Sequence, residues 1–270
     1  MRKIFIAGGA HTNYLGKFHP DFIWKKHPDF GTKTNPDTIA TTKAAVLGAL
    51  EAVGANADVI ERAYVGNFAG ELFDNQGHLG AALASVDPAL EGKPIMRVEG
   101  ACASGGLALA LGCDAIRAGA DVVLIAGAEV QNTVNAKIGA DFLARAAHYS
   151  RQREIDSFTF PALFGRRTKH VVEETDTTMD DLALASVKAY ANANRNPFAH
   201  MNAYKGMTYE NASTAGDKNP VFLAHAECRP YPRVSDSSQA SDGAPPPVHR
   251  PAAGLAQTGQ APRAAPAAAS

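Results

Sequence analysis

The most constraining feature of this sequence is a strand–turn–helix–strand pattern over residues 94–127. Residues 94–99 (PIMRVE) predict a strand, residues 107–118 have the composition of a helix, and Gly119 lies where a C-terminal cap is expected. The apolar run at 121–127 (DVVLIAG) is typical of a buried strand. Together they predict a right-handed βαβ unit with parallel strands. Its strand-to-helix turn then lies at the carboxyl edge of the sheet, where α/β proteins place their sites.

The residues before this unit predict further elements of an α/β fold. In chain order, we expect a first buried strand within residues 1–9, a surface excursion at 19–36, a helix at 38–53 that Gly54 ends, a short strand at 63–65 and a helix at 76–85. Residues 1–129 are therefore predicted to form the first part of an α/β domain.

The residues after this unit change character twice. Residues 130–230 are polar and favour helices, including one at 178–194, with Pro161, Pro197 and Pro220 as breaks. They predict a helical excursion over the sheet, to which residues 231–243 return. Residues 244–270 contain no acidic or aromatic residue and are dominated by Ala and Pro, so we expect a disordered tail.

Charge and composition argue against several classes of protein. A net charge of −1 over 270 residues offers no basic face for nucleic acid. No apolar run approaches the roughly 20 residues that a membrane span needs. The three cysteines do not form a disulfide framework, and no CxxC or HxxxH cluster suggests a metal site. We therefore expect a cytoplasmic protein with free cysteines and no bound metal.

Cys102 is the candidate catalytic residue, in a run of small residues (GACASGG) at 100–106. A thiolate is the nucleophilic form of cysteine, and favourable helix N-termini lower a thiol pKa from about 8.5 by several units. A helix beginning near Ser104 or Gly105 would aim its free N–H groups and positive dipole end at this position. The sharp turn would hold the sulfur out, and the Cys102 N–H is a candidate to bind a developing oxyanion. The same small residues also suit close helix–sheet packing, in which case Cys102 is a packing residue.

The other candidate residues carry weaker signals. Cys113 lies about 16 Å further along a helix, too far from Cys102 for a disulfide, and we expect it in the core. Cys228 lies in a Pro-containing loop and suggests no mechanism. Five histidines are candidates for a base beside Cys102, and each also suits an ordinary polar, packing or capping role: His78, His148, His170, His200 and His225.

At this point the sequence resembles the thiolase superfamily over nearly all of residues 1–243. Five segments carry the resemblance, in the family's order: the opening strand and Gly-Lys-Phe turn (4–18), the nucleophile segment (100–106), a strand with a Gly-x-Glu turn (121–129), a segment similar to sterol-carrier-type thiolases (194–200) and a Ser-Asp-Gly-Ala run (241–244). The resemblance implies a five-layered αβαβα fold of two duplicated halves, usually assembled as dimers, of which this chain holds the N-terminal half and the helical loop domain.

The resemblance also implies an activity, acyl transfer between CoA thioesters. In lipid metabolism, such an acetyl-CoA C-acetyltransferase-like enzyme performs Claisen condensation or thiolytic cleavage of 3-ketoacyl-CoA. By resemblance, Cys102 would carry the acyl group and parts of 130–230 would contact CoA, which enters as a substrate with no cofactor bound permanently. A ketoacyl-synthase-type condensing enzyme would also use a cysteine, but the Gly-Lys-Phe and Gly-x-Glu turns favour the thiolase branch.

The sequence departs from the family pattern after residue 244. Family members continue with an apolar strand and a second half, which supplies an Asn-Glu-x-Phe segment, a Gly-His-Pro histidine and a Cys-x-Gly acid/base cysteine. None of these is present, and residues 245–247 (PPP) stand where a central strand is expected. We therefore expect a truncated or frame-shifted product, which sequencing the coding DNA would test. Without acid–base groups worth about 10²–10⁴-fold, the alternative function is an inactive half or a non-catalytic subunit that pairs with a thiolase-fold partner.

Overall fold

A computed structural model of the protein describes residues 2–214, and a parallel three-stranded sheet lies at its centre. The strands are β1 (Arg62–Gly66), β2 (Ile95–Val98) and β3 (Val123–Gly127), in the spatial order β2-β1-β3. The short strand predicted at 63–65 is thus the central strand, and the two strands predicted at 94–99 and 121–127 flank it on either side. The predicted α/β class with a parallel sheet is confirmed.

Nine α-helices accompany the sheet within the described range. They are α1 (Thr38–Val53), α2 (Gly70–Phe73), α3 (Leu79–Ala84), α4 (Ser104–Arg117), α5 (Ala136–Leu143), α6 (Tyr149–Gln152), α7 (Thr159–Glu174), α8 (Met179–Arg195) and α9 (Tyr209–Ser213). Between residues 2 and 214, no helix is both long enough and apolar enough to cross a bilayer.

Helix α1 has the bounds that the sequence predicts because its ends are signalled locally. The Asp37 side chain accepts a hydrogen bond from the Ala40 N–H, which satisfies one of the free donors of the first turn. Gly54 adopts the left-handed conformation, with φ of 63°, and its N–H returns to carbonyls of the last turn. Strong caps at both ends therefore made this helix predictable.

The core forms on both faces of the sheet because side chains alternate along β1. Ala63 and Val65 pack with residues of α1 and α3, among them Val46 and Leu83. Tyr64 faces the other way and packs with the small residues of α4, which include Ala108 and Ala115. The described sheet is thus covered by α1 and α3 on one face and by α4 on the other.

Helix α4 exposes three leucines. Leu107, Leu109 and Leu111 are each about 40–46% exposed, whereas Ala108, Gly112 and Ala115 of the same helix are buried. Small side chains thus bring the helix close to the sheet. Leu107 and Leu111, four residues apart, flank the buried face on one side, and Leu109 flanks it on the other.

The buried N-terminal strand predicted within residues 1–9 is wrong for the residues described. Residues 2–9 form no strand, and Phe5 and Ile6 are 81% and 83% exposed. A strand needs a neighbour to satisfy its N–H and C=O groups, and β3 has no second neighbour in the described sheet. For the same reason the predicted burial of β3 is only partly met, since Ala126 alone among its five residues is buried.

Two predicted helix boundaries also need correction. Pro161 does not break a helix but lies in the first turn of α7, where backbone N–H groups lack helical partners and proline is tolerated. The helix predicted at 76–85 begins only at Leu79, because Asn75 and His78 have positive φ values of 52° and 47°, which a helix cannot contain.

Helices occupy most of the described residues after β3. Helix α8 begins with a capping box, in which Thr178 and Asp181 each accept from the other's backbone N–H. Helix α5 packs against α7 and α2. The predictions for Pro220, Cys228 and His225, the return segment 231–243 and the tail 244–270 lie outside the described residues.

Gly66 fixes how closely α4 approaches the sheet. It ends β1, and a Cβ atom built on it would lie 2.7 Å from the backbone N of Gly105 and from the backbone C and O of Ser104. Real Cβ atoms essentially never approach backbone atoms so closely. The start of α4 therefore rests directly on the backbone of the central strand, an arrangement that only glycine permits.

We expect Gly66→Ala to destabilise the fold by about 1–3 kcal/mol, the usual cost of overpacking. Gly106→Ala is the matched control, since a Cβ there meets nothing within 4 Å and alanine favours a helix over glycine by up to about 1 kcal/mol. Urea unfolding of both variants measures the difference. Equal stabilities for the two variants would contradict the close approach at Gly66.

Candidate active site

Cys102 lies at the carboxyl edge of the sheet, between the end of β2 and the start of α4. It occupies the middle of a single 3₁₀ turn, Ala101–Ala103, that leads directly into α4. Its side chain is a free thiol and the residue is exposed. Ala101 has a φ of 50°, a left-handed conformation that is uncommon for a residue with a side chain. The strand-to-helix turn predicted around Cys102 is therefore present, sharp and open to solvent.

Hydrogen bonds to two side chains fix the shape of this turn. The Glu99 carboxylate accepts from the Ala101 N–H at 2.6 Å. The buried Ser104 hydroxyl accepts from the Gly100 N–H at 3.0 Å and donates to the Ala101 carbonyl at 2.7 Å. From the sequence, Ser104 is predicted only as a small residue of the turn, and Glu99 only as the end of a strand. A serine at the first position of a helix was the signal that could have indicated this bonding.

A second group of polar residues lies at the same edge of the sheet, directly after β1. Asn67 is 1% exposed, and its side chain donates to the Ala128 carbonyl at 2.8 Å and accepts from the Gly70 N–H at 3.0 Å. Its backbone N–H donates to the Val98 carbonyl at 3.1 Å. Asn67 is not among the residues predicted from the sequence, although a polar residue directly after a buried strand is a signal for such a role.

Glu129 completes this group from the segment after β3. Its carboxylate accepts from the N–H groups of Phe68 at 2.7 Å and Ala69 at 3.2 Å, and from the Asn67 side chain at 3.2 Å. The Gly-x-Glu turn, noted in the sequence only as part of a resemblance, thus binds the segment between β1 and α2. Glu129 itself is exposed.

An ion pair holds the same segment from the side of β2. Arg97 bonds both carboxylate oxygens of Glu71 and donates to the Phe68 carbonyl at 2.9 Å. Partial burial raises the pKa of Glu71, but the hydrogen bonds from Arg97 and from its own backbone, with the charge of Arg97, outweigh this and hold that pKa below its ordinary value. Glu71 therefore binds fewer protons in the folded than in the unfolded chain over the acid range.

The structure does not bring a histidine into hydrogen-bond contact with Cys102 between residues 2 and 214. His78 has a left-handed backbone at the start of α3, His148 precedes α6 and His170 is exposed on α7. His200 stacks beside Phe18. Partial burial and the neighbouring His19 lower the pKa of His200. His225 lies outside the described residues.

Two of the segments that carry the family resemblance contact each other. The buried His19 accepts from the Asp21 N–H through Nδ1 at 3.1 Å, and its Nε2 lies 3.1 Å from the Pro197 carbonyl. The Tyr14 N–H donates to the Phe198 carbonyl at 2.8 Å. The residues around the predicted Gly-Lys-Phe turn are thus attached to the segment that follows α8.

The second free cysteine of the described region lies in the same helix that follows the Cys102 turn. Cys113 is a free, half-buried thiol in α4, so it is not fully within the core as predicted. Over residues 2–214, no group of three or more His, Cys, Asp or Glu residues is arranged to hold a metal ion.

A parallel sheet whose carboxyl edge presents a cysteine on a sharp strand-to-helix turn places this chain among the α/β proteins that display a side chain on such an elbow. Residues 31–203 match the family described as "Thiolase, N-terminal domain", which is more than half of the chain. The chain therefore belongs to the thiolase family, and the resemblance stated from the sequence motifs is confirmed.

Individual relatives agree with this assignment. An acetyl-CoA acetyltransferase from Methanothermobacter thermautotrophicus is 36% identical over 154 residues, which cover 57% of this chain and 39% of that protein. An acetyl-CoA acetyltransferase from Methanocaldococcus jannaschii is 32% identical over 193 residues, which cover 71% of this chain and 47% of that protein. Benzoylsuccinyl-CoA thiolase subunit BbsB from Thauera aromatica is 30% identical over 170 residues, which cover 58% of this chain and 39% of that protein. The chain thus spans about two fifths to one half of the length of these relatives.

We expect Glu71→Gln to flatten the loss of stability in acid. Because the folded-state pKa of Glu71 is lowered from the ordinary 4.5, its contribution is present above about pH 4.5 and is lost as the pH falls through the folded-state pKa. Urea unfolding of the wild type and the variant from pH 7 to pH 3 measures this. Glu174→Gln, at the exposed end of α7, should leave the wild-type slope unchanged. A wild-type slope in Glu71→Gln would refute the pairing with Arg97.

Proposed function

We propose that this protein is a thiolase-type acyltransferase in which Cys102 accepts the acyl group of an acyl-CoA thioester. The observation that carries the proposal is the exposed Cys102 thiol on a hydrogen-bonded turn at the start of α4. Matches to two acetyl-CoA acetyltransferases and to a CoA thiolase subunit support acyl-CoA as the substrate class. The coenzyme enters as part of the substrate, and the proposal includes no permanently bound cofactor.

The first half of the reaction uses groups that the described region contains. The Cys102 thiolate attacks the acyl carbonyl carbon, and the carbonyl oxygen becomes an oxyanion. Backbone N–H groups of the turn, including that of Cys102, are the candidate donors for this oxyanion. When the carbon–sulfur bond to CoA breaks, CoA leaves as a thiolate that takes up a proton, and Cys102 keeps the acyl group as a thioester.

The second half of the reaction needs an acid and a base. In condensation, a base removes the α-proton of a second acyl-CoA, whose carbanion attacks the acyl-cysteine and releases the Cys102 thiolate. In thiolysis, CoA attacks the acyl-cysteine instead. No histidine of residues 2–214 bonds to Cys102, so we propose that this part of the chain supports acyl transfer to Cys102 more readily than full turnover.

A second candidate function is a non-catalytic half that pairs with another thiolase-fold subunit, as a homodimer or with a different partner. Exposed leucines of α4 favour it, because Leu107 and Leu111, four residues apart, are neighbours on the helix surface, and adjacent exposed apolar side chains mark interaction sites. We also propose a cytoplasmic location and a role in lipid metabolism. An exposed free thiol at Cys102 suits a reducing compartment.

We expect the full chain, mixed with acetyl-CoA, to gain the mass of one acetyl group on Cys102, measured by intact mass and peptide mapping. Cys102→Ser should abolish this labelling, because the hydroxyl is a much weaker nucleophile at neutral pH. Cys113→Ser is the matched control and should be labelled as the wild type is.

The outcomes separate the two candidate functions. Labelling of Cys102 without formation of acetoacetyl-CoA supports acyl transfer by an incomplete site, and formation of acetoacetyl-CoA supports a complete catalyst. An unlabelled wild-type protein, confirmed as folded by circular dichroism, would overturn the acyltransferase proposal and favour the non-catalytic subunit.

A further inference from the structure

We infer that Asn67 is the positioning residue of the Cys102 site, holding the turn of Cys102 in place relative to the ends of all three strands. The inference rests on the proposed acyl transfer by Cys102 and deepens it. Asn67 does not contact the Cys102 thiol. It acts through the backbone that lies between Asn67 and Cys102.

Asn67 directly follows the central strand, and its bonds reach the carboxyl ends of both neighbouring strands. It follows the last residue of β1 itself, its N–H donates to the Val98 carbonyl at the end of β2, and its side chain donates to the Ala128 carbonyl just after β3. At 1% exposure these bonds have no competition from water. A buried polar group that loses its partner costs about 1–3 kcal/mol, so the three strand ends are strongly held in one register here.

The connection from Asn67 to Cys102 is short and runs through backbone atoms. Gly66, its neighbour, lies against the backbone of Ser104 and Gly105 with no room for a side chain. On the β2 side, Val98 accepts the Asn67 N–H, and the next two residues carry the bonds that shape the turn. Both ends of the Cys102 turn therefore meet the backbone that Asn67 holds.

The chemistry of the contact explains why asparagine is needed. The side chain must donate to the Ala128 carbonyl and accept from the Gly70 N–H at the same time. An amide offers both roles on adjacent atoms. An aspartate would keep the acceptor for Gly70 but would place a carboxylate against the Ala128 carbonyl and the Glu129 carboxylate.

Glu129 is the alternative candidate for positioning the Cys102 turn. The difference in burial between Glu129 and Asn67 favours Asn67. Glu129 is exposed, so water can replace its bonds to the Phe68 and Ala69 N–H groups. Asn67 is buried and its bonds cannot be replaced in this way. Displacement of a reacting group by about 1 Å can cost as much as 10²-fold in rate, so a loss of register at Asn67 matters for acyl transfer at Cys102.

The test compares Asn67→Ala and Asn67→Asp with Thr42→Ala in the full-length chain. Thr42 is also buried and polar, and its hydroxyl donates to the Thr38 carbonyl within α1, so this bond involves none of the three strand ends. Its loss destabilises the fold without touching the strand ends. Asn67→Asp keeps the side-chain size and the Gly70 contact, and so serves if Asn67→Ala does not fold.

Two readouts are measured beside the free energy of unfolding in urea. The first is the rate of Cys102 acetylation as a function of acetyl-CoA concentration. We expect the limiting rate to fall about tenfold or more in the Asn67 variants, with the half-saturating concentration unchanged. The second is the rate of alkylation by iodoacetamide at Cys102 and at Cys113, resolved by peptide mass. We expect a fall of about threefold or more at Cys102 only, because thiol reactivity depends on the helix N–H groups held beside it.

The outcomes are distinct. Wild-type values at Cys102 in folded Asn67 variants would overturn the inference, and so would an equal change in Thr42→Ala, which would indicate general loosening. If the wild type is not acetylated at all, the proposed acyl transfer fails. The alkylation rates then still decide whether Asn67 positions the Cys102 turn.

Discussion

The contact between the end of β1 and the start of α4 is the constraint on which the rest of the described structure depends. Because Gly66 has no side chain, the first backbone atoms of α4 rest on the central strand. That approach places small α4 residues against Tyr64 and packs the helix on one face of the sheet. It also fixes where the preceding turn lies, and hence where Cys102 is displayed. One backbone contact therefore contributes both to the packing of the sheet and to the position of the candidate site.

Much of this arrangement could be predicted from the sequence because its signals are local. The Asp37 and Gly54 caps set both ends of α1, and the small residues around Cys102 indicated a sharp turn before a helix. The motifs then identified the family, which the match over residues 31–203 confirms. Local caps and turn residues predict an element when most of its backbone N–H and C=O groups form hydrogen bonds within that element.

The errors and omissions share a different cause, since they depend on partners distant in sequence. Phe5 and Ile6 have the apolar character of a strand, but a strand forms only beside another strand. The local signal at Asn67, a polar residue directly after a buried strand, does not identify its partners, because its bonds join residues that are separated by about 30 and 60 positions in the chain. Glu129 was noticed through the family resemblance, but only the structure shows which N–H groups its carboxylate binds. Long-range hydrogen bonds of this kind cannot be inferred from spacing.

The exposed leucines of α4 have a consequence for the chemistry at its first turn. Leu107, Leu111 and the turn of Cys102 belong to one continuous helical segment. A protein surface that covered these two leucines would contact the helix that begins directly after the turn of Cys102. Electrostatic interactions strengthen where water is excluded. If the chain pairs with another subunit through this helix, we therefore expect association to change the reactivity of the Cys102 thiol.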